Sequence, residues 1–168
     1  MMVRYRELAL SALFGVVIFL QKSLAPPPYD KMFSLLLQIT LLNLSFLMMG
    51  SLGAMLTASI AGLLTSSIRG WMAPLTLLLS LLYGFMVILF NRLLHVVEEG
   101  RVRRWRLMIA SLIASLLVGF AGTLSTILLG ILEVSPSLII LLMTLGGIQG
   151  LVGGRLAALI WERISKLG

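Results

Sequence analysis

Six apolar stretches, each close to bilayer-crossing length and each ended by a short polar break, set the tightest limit on what this chain can fold into. They run over residues 8–25, 32–49, 52–68, 71–94, 107–132 and 136–156. A helix needs about 20 mostly apolar residues to cross a hydrocarbon core ~30 Å thick. Lipid offers no partner to an exposed peptide group, so a spanning segment must bond its own backbone, as a helix does. The expected fold class is all-α, a polytopic membrane helix bundle of six transmembrane helices forming one domain over residues 1–168.

Segments two and three are divided only by Gly50-Ser51, with Gly53 just beyond. One helix over both would be about 55 Å long at ~1.5 Å per residue, too long for the bilayer. A tight hairpin is expected at these glycines, with a re-entrant pair as the alternative because both segments are short. Pro74 and Pro136 open segments four and six, where a missing N–H is tolerated. Segment five is long enough to need tilt or a projecting end. Segment six is expected to continue as an amphipathic tail through Trp161, Glu162, Arg163 and Lys166. Arg4 and Arg6 before an apolar run resemble the start of a signal peptide. However, Pro26-Pro27-Pro28 follows where a small-x-small cleavage site would stand, so segment one reads as a retained span.

Composition supports the same medium. Charged residues make up 11% of the chain and hydrophobic ones 60%, against about 25% charged in a soluble domain. Too few charges remain to coat a water-facing globule. The net charge of +7 would suggest nucleic acid in a soluble protein, but its distribution points to lipid, and no nucleic-acid partner is expected. With both termini cytoplasmic, Arg4, Arg6, Arg92, Arg101, Arg103, Arg104, Arg106, Arg155, Arg163 and Lys166 lie inside, and Lys22, Lys31 and Arg69 outside. That 10-to-3 split obeys the positive-inside rule and requires an even number of spans. The expected topology is N-in, C-in, in the plasma membrane.

The chemistry is bounded by absences. The chain has no cysteine, one histidine and no Gly-Lys pair. This excludes thiolate chemistry, a Cys/His zinc cluster and a phosphate-gripping P-loop. The acidic residues Glu7, Asp30, Glu98, Glu99, Glu133 and Glu162 all sit at or beyond span ends, whereas ion-driven carriers hold a carboxylate at membrane depth. A self-contained pump is not expected, nor an enzyme, nor a cofactor or metal. Glu98-Glu99-Gly100-Arg101-Val102-Arg103 spells E-E-x-x-x-R, similar to a motif of membrane CAAX-processing proteases, but no histidine follows to complete such a site. It reads as a solvated cytoplasmic loop, and His95 as an interfacial polar residue.

Arg101, Arg103, Arg104 and Arg106 fall within six positions around Trp105. Such a cluster anchors the inner face on anionic lipid, or docks an acidic partner. Gly146, Gly150 and Gly154 recur at every fourth residue, a spacing that clears a groove for a neighbouring helix. Ser11 and Gly15, with Ala9 and Ala12 beside them, form a shorter small-residue face, placed either inside this bundle or against another subunit. Gln38, Asn43 and Gln149 must find partners, because an amide in lipid is costly to leave unpaired. Under the expected topology Gln38, Thr76, Ser80, Thr123, Ser125, Thr126 and Thr144 fall in the outer half. With Tyr29, Arg69, Trp71 and Glu133 at the rim, they would line an outward pocket for a small polar solute.

The chain resembles the substrate-binding S component of energy-coupling factor (ECF) transporters. The likeness rests on Arg6–Gly15, Pro26–Tyr29, Gly50–Gly62, Ala73–Thr76 running to Tyr83-Gly84, and Gly146–Gly154. It implies a subunit without its own motor, capturing a vitamin or other micronutrient outside and passing it to a membrane scaffold subunit and cytoplasmic ATPases. It also implies that small residues on the first helix (here Ala9, Ser11, Ala12 and Gly15) dock the scaffold, and that Pro26–Lys31 forms a lid. The family's A-x-x-x-A pattern is absent, since Leu13 stands four residues after Ala9. The alternative function is a non-catalytic structural subunit of a larger membrane complex. A lone channel or carrier is a further reading.

Overall fold

The computed structural model describes residues 2–24, 29–98, 101–130 and 135–166, with side chains described over 5–24 and from 35 onward within those stretches. The chain forms α1 (Met2–Leu24), α2 (Tyr29–Ser67), a 3₁₀ turn (Gly70–Met72), α3 (Ala73–Leu93), a two-stranded hairpin β1 (Val97–Glu98) and β2 (Arg101–Val102), α4 (Arg104–Leu128) and α5 (Pro136–Ile164). Among the described residues, five helices are long and apolar enough to cross a membrane. Pro74 and Pro136 both occupy the first helical turn, as their missing N–H favours.

Helix α2 is 39 residues long but is not one rod. Gly50 has φ 72° and ψ −159°, a conformation essentially reserved for glycine. The hydroxyls of Ser45 and Thr57 lie 2.9 Å apart across this break. Twelve residues of straight helix would separate them by about 18 Å, so the two arms of α2 fold back on each other at Gly50.

The inside of the bundle mixes small and polar residues with a few large apolar ones, and the outside is large and apolar. Ala54, Ala58, Ala61, Ser11, Asn43 and Ser115 are buried, while Leu52, Leu78, Phe85, Phe120, Ile140 and Ile148 are more than half exposed. A water-soluble monomer rarely exposes apolar patches beyond a few hundred Å². Hydrocarbon around the helices removes the drive to bury leucine and leaves close approach and hydrogen bonding to hold them together.

Small residues set each contact. α1 packs on α2 near Gly53 and Ile60, with Ser11 Oγ 3.5 Å from the Gly53 carbonyl and Gly15 against Ile60. The second arm of α2 meets α3, where Ser80 donates to the Ala58 carbonyl at 2.8 Å. The first arm meets α5, where Thr40 Oγ1 is 3.4 Å from the Gly153 carbonyl. α4 and α5 pack along the glycine groove: a Cβ on Gly154 would come within 2.7 Å of Ser111 Oγ, and one on Gly150 within 2.8 Å of the Ser111 carbonyl. One apolar core gathers Ile39, Leu42, Ala58, Tyr83, Val87, Ala114 and Val118. A second, under the β-hairpin, gathers Val96, Leu107, Ala110, Ala157 and Ala158.

Two element boundaries differ from the sequence reading. The helical backbone of α2 already includes Tyr29–Lys31, which shortens the expected Pro26–Lys31 lid; Pro26, Pro27 and Pro28 lie outside the described residues. The segment between α3 and α4 is a paired hairpin rather than a free loop, with Val97 opposite Val102 and Glu98 opposite Arg101.

Candidate functional site

Three features carry chemistry: an ion-paired arginine end, a buried amide network, and a cleft at the far end of α3 and α4. The arginine end is built around the hairpin. His95 turns the chain with φ 47°, and its carbonyl accepts from Arg106 Nη1 at 3.1 Å. Glu98 pairs with Arg103 at 2.7 Å and with Arg106 at 3.0 Å. Arg104 forms a two-pronged ion pair with Glu162, tying the start of α4 to the end of α5. The E-E-x-x-x-R run is thus a local fastening in which Glu98 holds two arginines. Of the expected docking arginines, Arg103 and Arg104 are engaged within the chain, and Arg101 is exposed.

The expected docking face on α1 is divided. Ser11 is fully buried and Gly15 is buried, both against α2, so they are not open to another subunit. Ala12 is half-buried and Ala9 exposed. The cause is the helical period: Ser11 and Gly15 share the face that meets α2, and Ala9 lies off it.

The buried network lies toward the arginine end. Asn43 Nδ2 donates to Ser111 Oγ at 2.9 Å and to the Ile39 carbonyl at 2.8 Å. Asn91 Nδ2 donates to Asn43 Oδ1 at 2.9 Å, and Ser111 donates to the Leu107 carbonyl at 2.7 Å. Asn43, Asn91 and Ser111 are each at most 2% exposed, so three helices are joined where lipid and water are both excluded. The sequence reading required a partner for Asn43 but missed that Asn91 and Ser111 supply it. A serine gives no sign in the sequence of which helix face it takes.

The residues expected to line an outward pocket differ widely in burial. Gln38, Thr76, Ser80 and Thr123 are buried, Arg69 and Thr126 half-buried, and Thr144 exposed on α5. Trp71 is 71% exposed. The hydroxyls are satisfied locally: Thr123 donates to the Gly119 carbonyl, Thr126 to Gly122, Ser125 to Ala121 and Thr144 to Ile140. Bonding to a carbonyl four residues back is how serine and threonine are satisfied within helices. Glu133 and the Tyr29 side chain lie outside the described residues. A cleft of about 400 Å³ does open in this region, between the start of α3 and the end of α4, lined by Pro74, Leu75, Leu78, Ser125, Leu128 and Leu129. Its walls are mainly aliphatic, in place of the polar lining expected.

The chain matches no protein-family model, no curated protein and no solved structure.

Proposed function

We propose that this chain is the membrane-embedded solute-capture subunit of a multi-subunit, ATP-driven importer for a vitamin or other micronutrient. In this reading it crosses the plasma membrane six times with both termini in the cytoplasm, the arms of α2 each counting as a span. Residues 29–49 and 51–67 would reach about 31 Å and 25 Å as helices, close to the hydrocarbon thickness. The positive-inside rule seats the arginine end in the cytoplasm, where a scaffold subunit and ATPases would act.

The single observation that carries the reading is the cleft of about 400 Å³ at the end opposite the arginines. Under this topology it opens toward the outer leaflet as a shallow apolar groove, with Pro74, Leu78, Leu128 and Leu129 exposed along it. Its aliphatic walls favour a solute with an apolar body. Thermal unfolding of the purified protein against a panel of vitamins tests the reading, because a ligand held only by the native state raises stability by ~2.7 kcal/mol at a hundredfold excess over Kd. One member of the panel should raise Tm, and Leu78→Trp, which fills the cleft, should abolish that rise. A flat panel refutes capture of those solutes.

A second reading, a non-catalytic structural subunit without a ligand, is favoured by the locally satisfied hydroxyls of Thr123, Ser125, Thr126 and Thr144. It predicts the flat panel together with stable co-purification of partner subunits from the native membrane.

A further inference from the structure

A second cavity lies at the arginine end, apart from the proposed solute cleft. It has a volume of about 260 Å³ and is lined by Arg6, Glu7, Leu10, Met48, Met49 and Trp161. Three elements meet there: the first turns of α1, the last turn of α2 before the Gly50 break, and the end of α5. The neighbouring Glu162 is bridged to Arg104 at the start of α4, which fixes the depth of the cavity at the level of the basic rim. Tryptophan near a helix end is itself a marker of the headgroup layer.

The charges in this cavity set it apart from the rest of the rim. Arg6 and Glu7 both line it, and neither forms an ion pair with any described residue. Glu7 is half-buried beside Leu10 and the two methionines. A carboxylate drawn partly out of water without a counter-ion is unfavourable, so Glu7 favours a cation, while the exposed Arg6 beside it is open to an anion. A phosphate joined by two carbons to a primary ammonium supplies both at once. Phosphate would sit on the Arg6 guanidinium, ammonium would donate to Glu7, and the glycerol and first acyl carbons would lie along Leu10, Met48 and Met49. We propose that this cavity is a site for the aminoethyl phosphate headgroup of a membrane phospholipid. The inference needs only that the chain sits in a bilayer, and it stands whether or not the chain captures a solute.

The reading opposes the default for a basic rim, which favours anionic lipid. Glu7 repels a second negative group, and a quaternary choline has no N–H to donate to it. The test is competition for the full-length protein among phosphatidylethanolamine, phosphatidylglycerol and phosphatidylcholine of matched acyl chains, in mixed micelles, with retained lipid counted by native mass spectrometry. Phosphatidylethanolamine should be retained about fivefold over either competitor, as a partly buried charge-assisted contact implies. Stepwise N-methylation of the headgroup should remove the preference in the wild-type chain, with no mutation needed. Glu7→Gln should erase the preference over phosphatidylcholine, whereas Arg6→Gln should lower retention of all three lipids. Equal or greater retention of phosphatidylglycerol would overturn the proposal, as would a preference unchanged by methylation. Displacement of the lipid by an equal concentration of soluble phosphoethanolamine would show that the headgroup compound, and not a lipid, is the ligand, and would overturn the lipid assignment.

Discussion

Replacing Gly50 by alanine isolates the one backbone conformation that folds the arms of α2 together. At φ 72° and ψ −159° an L-residue is strained, by ~1–3 kcal/mol. A Cβ there would meet no atom within 4 Å, so no clash is added to that strain. Alanine also narrows the unfolded ensemble, which offsets ~0.4–1 kcal/mol of the loss. The net expectation is a destabilisation of about 1–2 kcal/mol, roughly a five- to thirtyfold shift toward the unfolded state. The control is Gly146→Ala, inside α5, where the nearest atom to an added Cβ is 3.9 Å away. There the helix propensity of alanine should leave stability unchanged or raised by up to ~1 kcal/mol. Titration of a denaturing detergent into mild micelles, followed by far-ultraviolet circular dichroism, measures both variants on one scale. If Gly50→Ala is as stable as Gly146→Ala, the break is not the constraint that positions Ser45 against Thr57, and the two-armed account of α2 fails.

Two further outcomes follow from the interior and the ends. A double-mutant cycle of Asn43→Ala and Asn91→Ala should give a coupling of ~0.6–1.7 kcal/mol, the range for interhelical hydrogen bonds in membranes; strictly additive losses would mean that the 2.9 Å amide contact does not join the helices. Because the chain has no cysteine, Ser67→Cys and Arg101→Cys report sidedness cleanly. A membrane-impermeant maleimide added to intact cells should label the first and spare the second, and the reverse result would invert the proposed topology.

What the sequence made legible was whatever the bilayer itself dictates. The apolar run over segments two and three was too long for one span, so a break was demanded, and glycine at position 50 was the residue able to provide it. Asn43 at membrane depth demanded a partner for the same reason. What stayed hidden depends on which helix lies next to which. Thr144 and Gly146 are two residues apart on α5, yet the first is exposed and the second buried against α4. No local property of threonine announces that difference. Topology made the outer hydroxyls look like a pocket lining, but Thr123, Ser125, Thr126 and Thr144 are already satisfied one helical turn back, and Ser80 bonds to the neighbouring arm of α2. The β-hairpin was invisible because two-residue strands are too short to show a period; only the opposite charges of Glu98 and Arg101–Arg106 hinted that the segment was tied down.

The two ends of the bundle are held by different forces, and this bears on where the helices can separate. At the basic end, Arg104–Glu162, Glu98–Arg103 and Glu98–Arg106 fasten the hairpin, α4 and α5 to one another, and Asn91 adds a buried bond from α3 to α2. At the opposite end, the described contacts between α3 and α4 are aliphatic, such as Leu79 lying 3.7 Å from where a Cβ on Gly122 would stand. In hydrocarbon an aliphatic contact between helices is exchanged for an aliphatic contact with lipid at little cost. Separation of α3 from α4 is therefore resisted at the arginine end and weakly opposed at the cleft. Under the proposed capture function, a solute entering the cleft would widen that gap by a tilt pivoting on the Asn43–Asn91–Ser111 network, leaving the arginine end in place.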